Sequence, residues 1–308
     1  MTSYLRSIRP VQLRLLAAIS LHGKLRIAAD SCNITVPAAS RMLADIEAKL
    51  DTTLFERSPQ GMIPTPAGNL LIHHAKKLVH DVDQMAQDFS AHLGGQAGSV
   101  HVGAVTGGAL AAVIPAILAL KQEAPMVDVT LDVSSSSRLM WGLDRGEYDF
   151  TLSRLNHETY AHDFEISPGR TESVLFMVRG DHPLARKIPI SLADLLDFPW
   201  TMQDRGAPIR HALEIAFHDQ GIALPVNLIK TASVVAIMAL LRDSEVIAVV
   251  TREVSALLLA PPFSADLALL PVDLAIEIEP YHILRPRNRS MSVAAERLLD
   301  LIRAQLNR

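Results

Sequence analysis

The sequence predicts an α/β protein made of unlike parts: a small helical N-terminal unit, a long linker helix, and a larger C-terminal part. Three observations lead to this prediction. Apolar residues recur at helical spacing in short segments between residues 11 and 50, and again over residues 66–93. Beyond a glycine-rich stretch at 94–99, strand-like and helix-like segments alternate, which predicts α/β units with mostly parallel sheets.

The composition is that of a globular chain. It has 308 residues, of which 49% are hydrophobic and 20% charged, enough to bury a sizeable core and form two or more domains. No window approaches the run of about 18 apolar residues that spans a membrane, and no signal-peptide pattern follows the N-terminal arginines. The single cysteine, Cys32, excludes an intramolecular disulfide and a cysteine-clustered metal site. We expect a cytoplasmic protein without a membrane partner, metal or cofactor.

Charge is distributed unevenly along the chain. Residues 1–80 carry ten Lys and Arg against five Asp and Glu, whereas residues 81–308 carry nineteen against twenty-eight. A basic segment attached to an acidic body is expected where one end of a protein meets a polyanion. A net excess of five over eighty residues is modest, so chance remains the alternative.

Residues 11–50 have the pattern of a helix-turn-helix. The first predicted helix covers Val11–Leu21 and a short second one covers 26–33, after which Thr35 is expected to cap a third helix. The opposite face of that helix carries small residues with Ser40 and Arg41, which suits close contact with a partner. The buried face of the third helix is predicted to contain Val36, Ala39, Leu43, Ile46 and Leu50.

A short arm follows the third helix. Gly61 can adopt positive φ and lets the chain turn back, so the arm is predicted to be a hairpin, or wing. Arg57, Ser58 and Gln60 would supply charge and hydrogen bonds to DNA phosphates or to the minor groove. Each of these three residues is individually compatible with a solvated turn, and the prediction of a wing rests on their combination.

The linker helix is predicted to begin at Thr65-Pro66, where threonine caps and proline fits the first turn. Its apolar positions follow a nearly heptad spacing, which favours packing against a second copy of the chain, with packing inside its own domain as the alternative. His73, His74 and His80 lie on the same helix and are expected to be solvated. We call the apolar positions the linker seam: Leu71, Ala75, Leu78, Val82, Met85 and Phe89.

A set of short motifs lies along the chain: Ala28-Ala29, Pro37 to Arg41, Ile46-Glu47, Leu50, Leu54 to Arg57, Thr65 to Gly68, Gly146 to Asp149 and Asp181 to Ala185. Through these motifs the chain resembles a LysR-type transcriptional regulator along almost its whole length, and within that family the galactose-binding-protein regulator subgroup. Val36, Ile46 and Asp51 depart from the family pattern, and Val36 leaves open which bases are read.

The resemblance implies a winged helix-turn-helix at 1–65, a dimerising linker helix at 66–93, a hinge at 94–99, and a two-lobed effector domain at 100–308. The effector domain would resemble the type 2 periplasmic binding proteins. The implied partners are promoter DNA, a small-molecule effector and further copies of the chain in a homodimer or homotetramer, with RNA polymerase a further candidate. The implied DNA-binding residues are Thr35, Pro37, Ala38, Ser40, Arg41, Arg57, Ser58, Gln60 and Thr65.

The effector is expected between the lobes, where strands end and helices begin. Hydroxyl groups follow several predicted strands, and few aromatic residues lie among them, which favours a sugar or a small carboxylate. Ser136 and Ser233 fit a helix cap equally well. The predicted effector-binding residues are Thr106, Gly107, Ser135, Ser136, Gln203, Arg205, Arg210, Thr231, Ser233 and Thr251.

Two other classes of protein are considered. An α/β enzyme is disfavoured because the glycines of VGAVTGGA fit neither nucleotide-loop pattern, and neither G-x-S-x-G nor H-E-x-x-H is present, so no catalytic residue is assigned. A small-molecule binding protein that does not bind DNA accounts for the second half of the chain but not for the first.

Overall fold

A computed structural model describes residues 2–59, 61–94, 98–155, 163–263, 265–287 and 289–307. In order along the chain they form a helical N-terminal unit, a long helix, and two α/β lobes. Within the described residues, none of the helices combines the length and the apolar character that crossing a lipid bilayer requires.

The N-terminal unit is a helix-turn-helix with a hairpin. Its helices are α1 (Thr2–Leu5), α2 (Pro10–His22), α3 (Leu25–Ser31) and α4 (Val36–Leu50), and the hairpin pairs β1 (Phe55–Ser58) with β2 (Gly61–Pro64). The Thr35 hydroxyl accepts a hydrogen bond from the Ala38 backbone N–H, so the predicted cap of α4 is confirmed. The hairpin lies where the wing was predicted.

The buried face of α4 contains four of the five predicted residues, Ala39, Leu43, Ile46 and Leu50. The prediction for Val36 is wrong, because this side chain is 38% exposed. Val36 is the first residue of the helix, and its side chain leans back toward the N-terminal end, away from the core stripe.

Helix α5 (Pro66–Gly94) is the predicted linker helix, and its first turns pack against α2. Ala75 is fully buried in the core of the N-terminal unit, together with Ile72. The prediction that Ala75 contacts a second copy is therefore wrong, since its own domain already encloses it. Leu78, Met85 and Phe89 are exposed, and Leu71 and Val82 are half-buried.

Lobe 1 comprises residues 99–155, 163–167, 281–287 and 289–307. Its sheet has the order β4-β3-β5-β13-β6, with β13 antiparallel to both neighbours. The helical run from 106 to 123 contains a five-residue π-helical segment between α6 and α7. The elements are β3 (Ser99–Ala104), α6 (Thr106–Gly108), α7 (Ile114–Glu123), β4 (Asp128–Val133), α8 (Ser136–Arg145), β5 (Phe150–Ser153), β6 (Phe164–Ser167), β13 (His282–Pro286) and α13 (Val293–Leu306).

Lobe 2 comprises residues 172–263 and 265–278. Its sheet has the order β11-β7-β10-β8-β9, with β12 also paired to β7, and apolar clusters cover both faces. The elements are β7 (Glu172–Arg179), a 3-10 turn (Pro183–Arg186), α9 (Leu192–Leu195), β8 (Trp200–Met202), α10 (Pro208–Asp219), β9 (Leu228–Lys230), α11 (Val234–Asp243), β10 (Ile247–Thr251), α12 (Arg252–Leu259), β11 (Leu267–Leu269) and β12 (Ile276–Ile278).

The sheets are mixed, whereas the alternating pattern predicted mostly parallel ones. Strand β7 runs antiparallel to β10, β11 and β12. The reason lies in the connections: the chain passes from lobe 1 to lobe 2 at 168–171 and returns at 279–280, and the strand that follows each crossing, β7 or β13, runs against the parallel set. Each lobe keeps three parallel strands, and their carboxyl ends carry the candidate effector site.

Candidate functional site

The outer face of α4 is open to a partner. Arg41 and Pro37 are exposed, Ser40 and Ala38 are half-buried, and the Arg41 Nε donates to the Pro37 carbonyl at 3.3 Å. Thr35 accepts its capping bond and still has its hydroxyl hydrogen to donate. The face therefore presents one guanidinium and two hydroxyl groups beside small side chains, which allows close approach to a DNA groove.

The wing is held against the helix-turn-helix by backbone contacts. The Met62 N–H donates to the Gly23 carbonyl at 2.7 Å, and Gly61 has φ of 132°, the positive value that its glycine was predicted to allow. Arg57 is exposed at this hairpin, and the Ser58 hydroxyl donates to the Gly61 carbonyl at 3.0 Å. Gln60, predicted to contact DNA, lies outside the described residues.

Two residues of this region support the fold directly. The Thr65 hydroxyl donates to the Thr53 carbonyl and accepts from the Gly68 N–H, so its only donor is already used at the start of α5. The carboxylate of Glu47 accepts hydrogen bonds from the Leu54 and Phe55 N–H groups at 2.7 and 3.2 Å. This carboxylate ties the start of the wing to α4.

The inter-lobe site begins at the edge of lobe 1, where the neighbouring strands β4, β3 and β5 end. Thr106 and Gly107 start α6 after β3, and Ser135 caps α8 by accepting from the Arg138 N–H. The Ser136 hydroxyl accepts from the Arg154 N–H at 3.1 Å. The structure thus brings the predicted residues of lobe 1 together with Arg154, a residue that the sequence reasoning did not assign.

The facing edge belongs to lobe 2, where β10, β8 and β9 end side by side. The Ser233 hydroxyl caps α11 by accepting from the Ala236 N–H, and the Thr231 hydroxyl accepts from the Ser233 N–H. Both hydroxyl oxygens therefore accept hydrogen bonds from backbone N–H groups. Arg210 is buried and paired with Glu214 at 2.8 Å, and it donates to the Gln203 carbonyl at 3.4 Å. Arg205 lies exposed in the turn after β8, and Thr251 ends β10.

A buried ion pair joins the two lobes beneath this site. Arg154 follows β5 in lobe 1 and its guanidinium pairs with the carboxylate of Glu172, the first residue of β7 in lobe 2. The Arg154 Nε also donates to the Glu279 carbonyl at 2.6 Å, at the second crossing of the chain. Burial raises the pKa of Glu172, and the neighbouring Arg154 opposes that rise.

Gly107 leaves the space that the Glu172 side chain occupies. A Cβ on Gly107 would overlap the Glu172 carboxylate, and one on Gly108 would press on Leu152 and on the Tyr281 ring. Helix α12 of lobe 2 also packs against α6. The two glycines therefore let the start of α6 lie directly on Glu172 and Tyr281, the buried polar groups beside the two chain crossings.

Several of these buried polar atoms have no hydrogen-bond partner among the described residues: the Tyr281 hydroxyl, the Thr251 hydroxyl, the Thr201 hydroxyl and one carboxylate oxygen of Glu253. Burial, with the nearby Glu172 and Glu253 carboxylates, raises the pKa of Tyr281 to about 12. Such groups are uncommon in folded proteins, and each calls for a partner such as an ordered water, an ion or a bound ligand. No local sequence pattern brings these groups together, because they come from segments that are far apart in the chain.

A second pocket, of about 210 Å³, lies between α5 and lobe 1, and its walls include His80, His101, Asp83 and Asp149. His80 is half-buried and lines this pocket, His73 is half-buried as well, and His74 is exposed. Burial lowers the pKa of His80 and raises that of Asp149. Within the described ranges, no group of three or more His, Cys, Asp or Glu side chains could hold a metal ion.

Comparison with known proteins gives two family matches. Residues 93–307 match the LysR substrate binding domain, and residues 10–69 match the bacterial regulatory helix-turn-helix protein, lysR family. The HTH-type transcriptional regulator GbpR of Azospirillum brasilense is 32% identical over 295 residues, covering 95% of this chain and 85% of the relative. GbpR of Rhizobium radiobacter is 33% identical over 245 residues, covering 79% of this chain and 81% of the relative.

Solved structures share the fold. A full-length OxyR variant from Pseudomonas aeruginosa superposes with a TM-score of 0.67 at 18% identity, covering 97% of this chain and 95% of that one. CbnR, a LysR family transcriptional regulator, gives 0.63 at 20% identity, covering 97% and 99%. CbnR has also been solved in complex with its target DNA. The family and the matched relatives are transcriptional regulators and not enzymes.

Proposed function

We propose that this chain, which belongs to the LysR family of transcriptional regulators, binds promoter DNA through α4 and the wing and responds to a small polar metabolite bound between its lobes. The observation that carries the proposal is the exposed outer face of α4, with Arg41 on it and the wing Arg57 exposed beside it. The effector is a sugar or a small carboxylate.

The proposed roles follow from what each group can offer. Arg41 and Ser40 read base edges, and Thr35, with Pro37 and Ala38 allowing close approach, positions the helix on a phosphate. Arg57 and Ser58 extend the contact from the wing, with Gln60 as a further candidate. We expect the chain to act in the cytoplasm, where bacterial promoter DNA lies, and RNA polymerase remains a candidate partner.

The proposed assembly is a homodimer through α5, with a homotetramer expected from further contacts. The exposed members of the linker seam, Leu78, Met85 and Phe89, support this arrangement because three large apolar side chains on one helix are costly to leave in water. The half-buried Leu71 and Val82 border the same surface. The two copies of α4 in such a dimer would be related by its symmetry and would read two half-sites of the DNA.

DNA binding is tested by fluorescence anisotropy with duplexes from the promoter region upstream of the gene. Arg41→Ala should cost about 1–3 kcal/mol of specific binding, because a guanidinium that reads guanine is lost. Arg57→Ala should weaken binding to all DNA sequences. It should also reduce the slope of log affinity against log salt concentration by about one. Arg242→Ala, an exposed arginine of lobe 2 paired with Asp243, is the control. Unchanged affinity of both test variants at fixed salt would contradict the proposal.

Effector binding is tested separately by calorimetry on the full chain with candidate sugars and acids. Thr106→Val and Ser136→Ala remove hydroxyl groups from the edge of lobe 1 and should weaken the identified effector. Equal affinity in wild type and both variants would mean that the effector binds elsewhere. Adding the effector to the anisotropy assay then measures whether it alters DNA binding, as a ligand that favours one lobe arrangement must do.

A further inference from the structure

We infer that lobe 1 is docked on α5 through a polar stripe, and that protonation of the two histidines in this stripe releases lobe 1 from the helix. The stripe consists of four half-buried side chains, which we call the docking stripe: His73, Lys76, His80 and Asp83. The inference depends on neither the DNA sequence nor the effector that the protein binds.

The docking stripe occupies one side of α5. Its members follow one another at steps of three, four and three residues, which places them one above the other on a helix. The linker seam lies on the far side, because residues two positions apart, such as Leu78 and His80, point in nearly opposite directions. Helix α5 therefore turns a polar side to lobe 1 and an exposed apolar side away from it.

The first half of the docking stripe meets the end of α8. Helix α5 contacts α8, and the negative charge of Asp144 acts on both His73 and Lys76. Burial, together with the like charge of Arg145, lowers the pKa of Lys76 to about 8. This end of the contact therefore disfavours further positive charge. The charged and titratable groups that act on His73 are Lys77 and His74 on α5, and Asp144 and Asp163 in lobe 1.

The second half of the docking stripe forms a pocket with lobe 1. His80 and Asp83 line the space of about 210 Å³ described above, together with Asp149. Asp149 is 8% exposed and accepts a hydrogen bond from the His101 N–H at 2.8 Å, so this carboxylate is already engaged inside lobe 1. The charged and titratable groups around His80 are Asp81 and Asp83 on α5, and His101, Glu147, Tyr148, Asp149 and Arg289 in lobe 1.

Helix α5 is held to the N-terminal unit by separate interactions. Asp83 pairs with Arg14 of α2, and Ile72 and Ala75 are buried in the core of the N-terminal unit. Loss of the contact with lobe 1 removes none of these interactions. Release therefore changes the position of the lobes relative to the N-terminal unit and leaves that unit folded.

Protonation of the two histidines opposes docking. Burial is the main cause that lowers the pKa of both His73 and His80, so each imidazole takes up a proton more readily once lobe 1 has left. Lys77 adds to this effect at His73. Arg289 adds to it at His80, and the nearby carboxylates do not outweigh burial at either position. Docking is therefore favoured above the ordinary histidine pKa of about 6.5 and weakens as the pH falls below it.

Two other groups of the contact titrate differently. With a pKa of about 8, Lys76 is largely protonated at about pH 7.5, so it does not drive a change at lower pH. Burial raises the pKa of Asp149, so the docked state takes up this proton more readily and Asp149 opposes release at the acid end. Asp149 is kept in every variant below, so its contribution is common to all of them.

The test measures the distance between the N-terminal unit and lobe 1 in the full chain by double electron–electron resonance. Spin labels are attached through Arg26→Cys and Val293→Cys, both at exposed positions, after Cys32→Ser removes the natural thiol. An excess of unlabelled chains ensures that only distances within one chain are read. This labelled parent should give one narrow distance at about pH 7.5 and a broad distribution at about pH 5.5, with the docking equilibrium constant at least about tenfold lower.

His73→Gln combined with His80→Gln keeps uncharged polar side chains and should hold the narrow distance at both pH values. His74→Gln, exposed on the same helix, is the matched control and should broaden as the parent does. If the double variant is broad already at about pH 7.5, the two single variants decide, and at least one must broaden less than the parent on acidification.

Circular dichroism at each pH checks that every protein remains folded. The inference is overturned if the parent gives the same distribution at both pH values, or if the double variant and both single variants broaden as much as the parent. It is also overturned if the narrow distance is lost only together with the native circular dichroism spectrum, because lobe 1 then leaves α5 only when the protein unfolds.

Discussion

The backbone of Gly61 lies directly against the carbonyl oxygen of Gly23, so that a Cβ on Gly61 would fall well inside van der Waals contact with that oxygen. The adjacent Met62 N–H donates to the same carbonyl at 2.7 Å. The turn between α2 and α3 and the tip of the wing are therefore fixed to one another through two glycines. This contact sets the position of Arg57 relative to α4.

Gly61→Ala should destabilise the N-terminal unit by about 1–3 kcal/mol and weaken DNA binding, because the new methyl group must displace the wing and its φ is unfavourable for an L-residue. Urea unfolding and anisotropy measure the two effects. Gly221→Ala is the matched control, since Gly221 also has positive φ but nothing lies within 4 Å of its Cβ position. Equal DNA affinity in both variants would mean that the wing position does not matter for binding.

The linker seam gives a prediction about assembly. Leu78→Asp with Val82→Asp should produce monomers in sedimentation velocity, because buried carboxylates without partners oppose a dry interface. His74→Asp adds a charge at an exposed position of the same helix outside the linker seam and should leave the oligomer intact. An intact dimer in the double variant would show that another surface holds the copies together.

The local features were the easiest to predict from the sequence. Thr35 and Gly61 could be assigned because a cap and a positive φ depend on a few neighbouring residues. Ala75 was misassigned for a physical reason: helical periodicity shows that a face is apolar, but not whether the chain's own core or a second copy covers it. Here the core of the N-terminal unit covers that position.

The candidate effector site was predictable only in part. Thr106 and Ser136 follow recognisable strands, so their common edge could be inferred from the order of α/β units. Arg154, Glu172 and Tyr281 could not, because they come from separate segments that meet only where the chain crosses between lobes. Strands β11 and β12 have three residues each, too few for an alternating pattern to stand out.

The buried Arg154–Glu172 pair predicts a large effect of removing one charge. Arg154→Met should destabilise the protein by about 3–5 kcal/mol at neutral pH, because the Glu172 carboxylate is left buried without a counter-charge. Adding Glu172→Gln to Arg154→Met should recover part of the lost free energy of unfolding. Lower pH should also reduce the destabilisation caused by Arg154→Met. Burial raises the pKa of Glu172, so its carboxyl group takes up a proton as the pH falls.

Urea unfolding of the single and double variants at two pH values measures this prediction. Arg242→Met, which breaks an exposed pair with Asp243, is the control and should cost no more than about 1 kcal/mol. If Arg154→Met costs no more than the control, the lobes do not hold the ion pair in solution.

His80 predicts a pH dependence of stability. Burial is the main cause that lowers the pKa of His80, and the positive charge of the nearby Arg289 lowers it further. The negative charges of Asp149, Asp81 and Asp83 act in the opposite direction. The unfolded chain therefore binds the proton first as pH falls below about 6.5, so this contribution to stability is present at higher pH and is lost toward acid. His80→Gln removes the titrating group and should flatten the decline.

The measurement is the free energy of unfolding in urea at about pH 7.5 and pH 5.5, above and below the ordinary histidine pKa. Wild type should lose more stability over this interval than His80→Gln. His74→Gln, on the same helix but exposed, controls for the loss of an imidazole and should follow wild type. If the His80 variant also follows wild type, then α5 does not bury this imidazole against lobe 1 in solution, and the pocket beside Asp149 is open there.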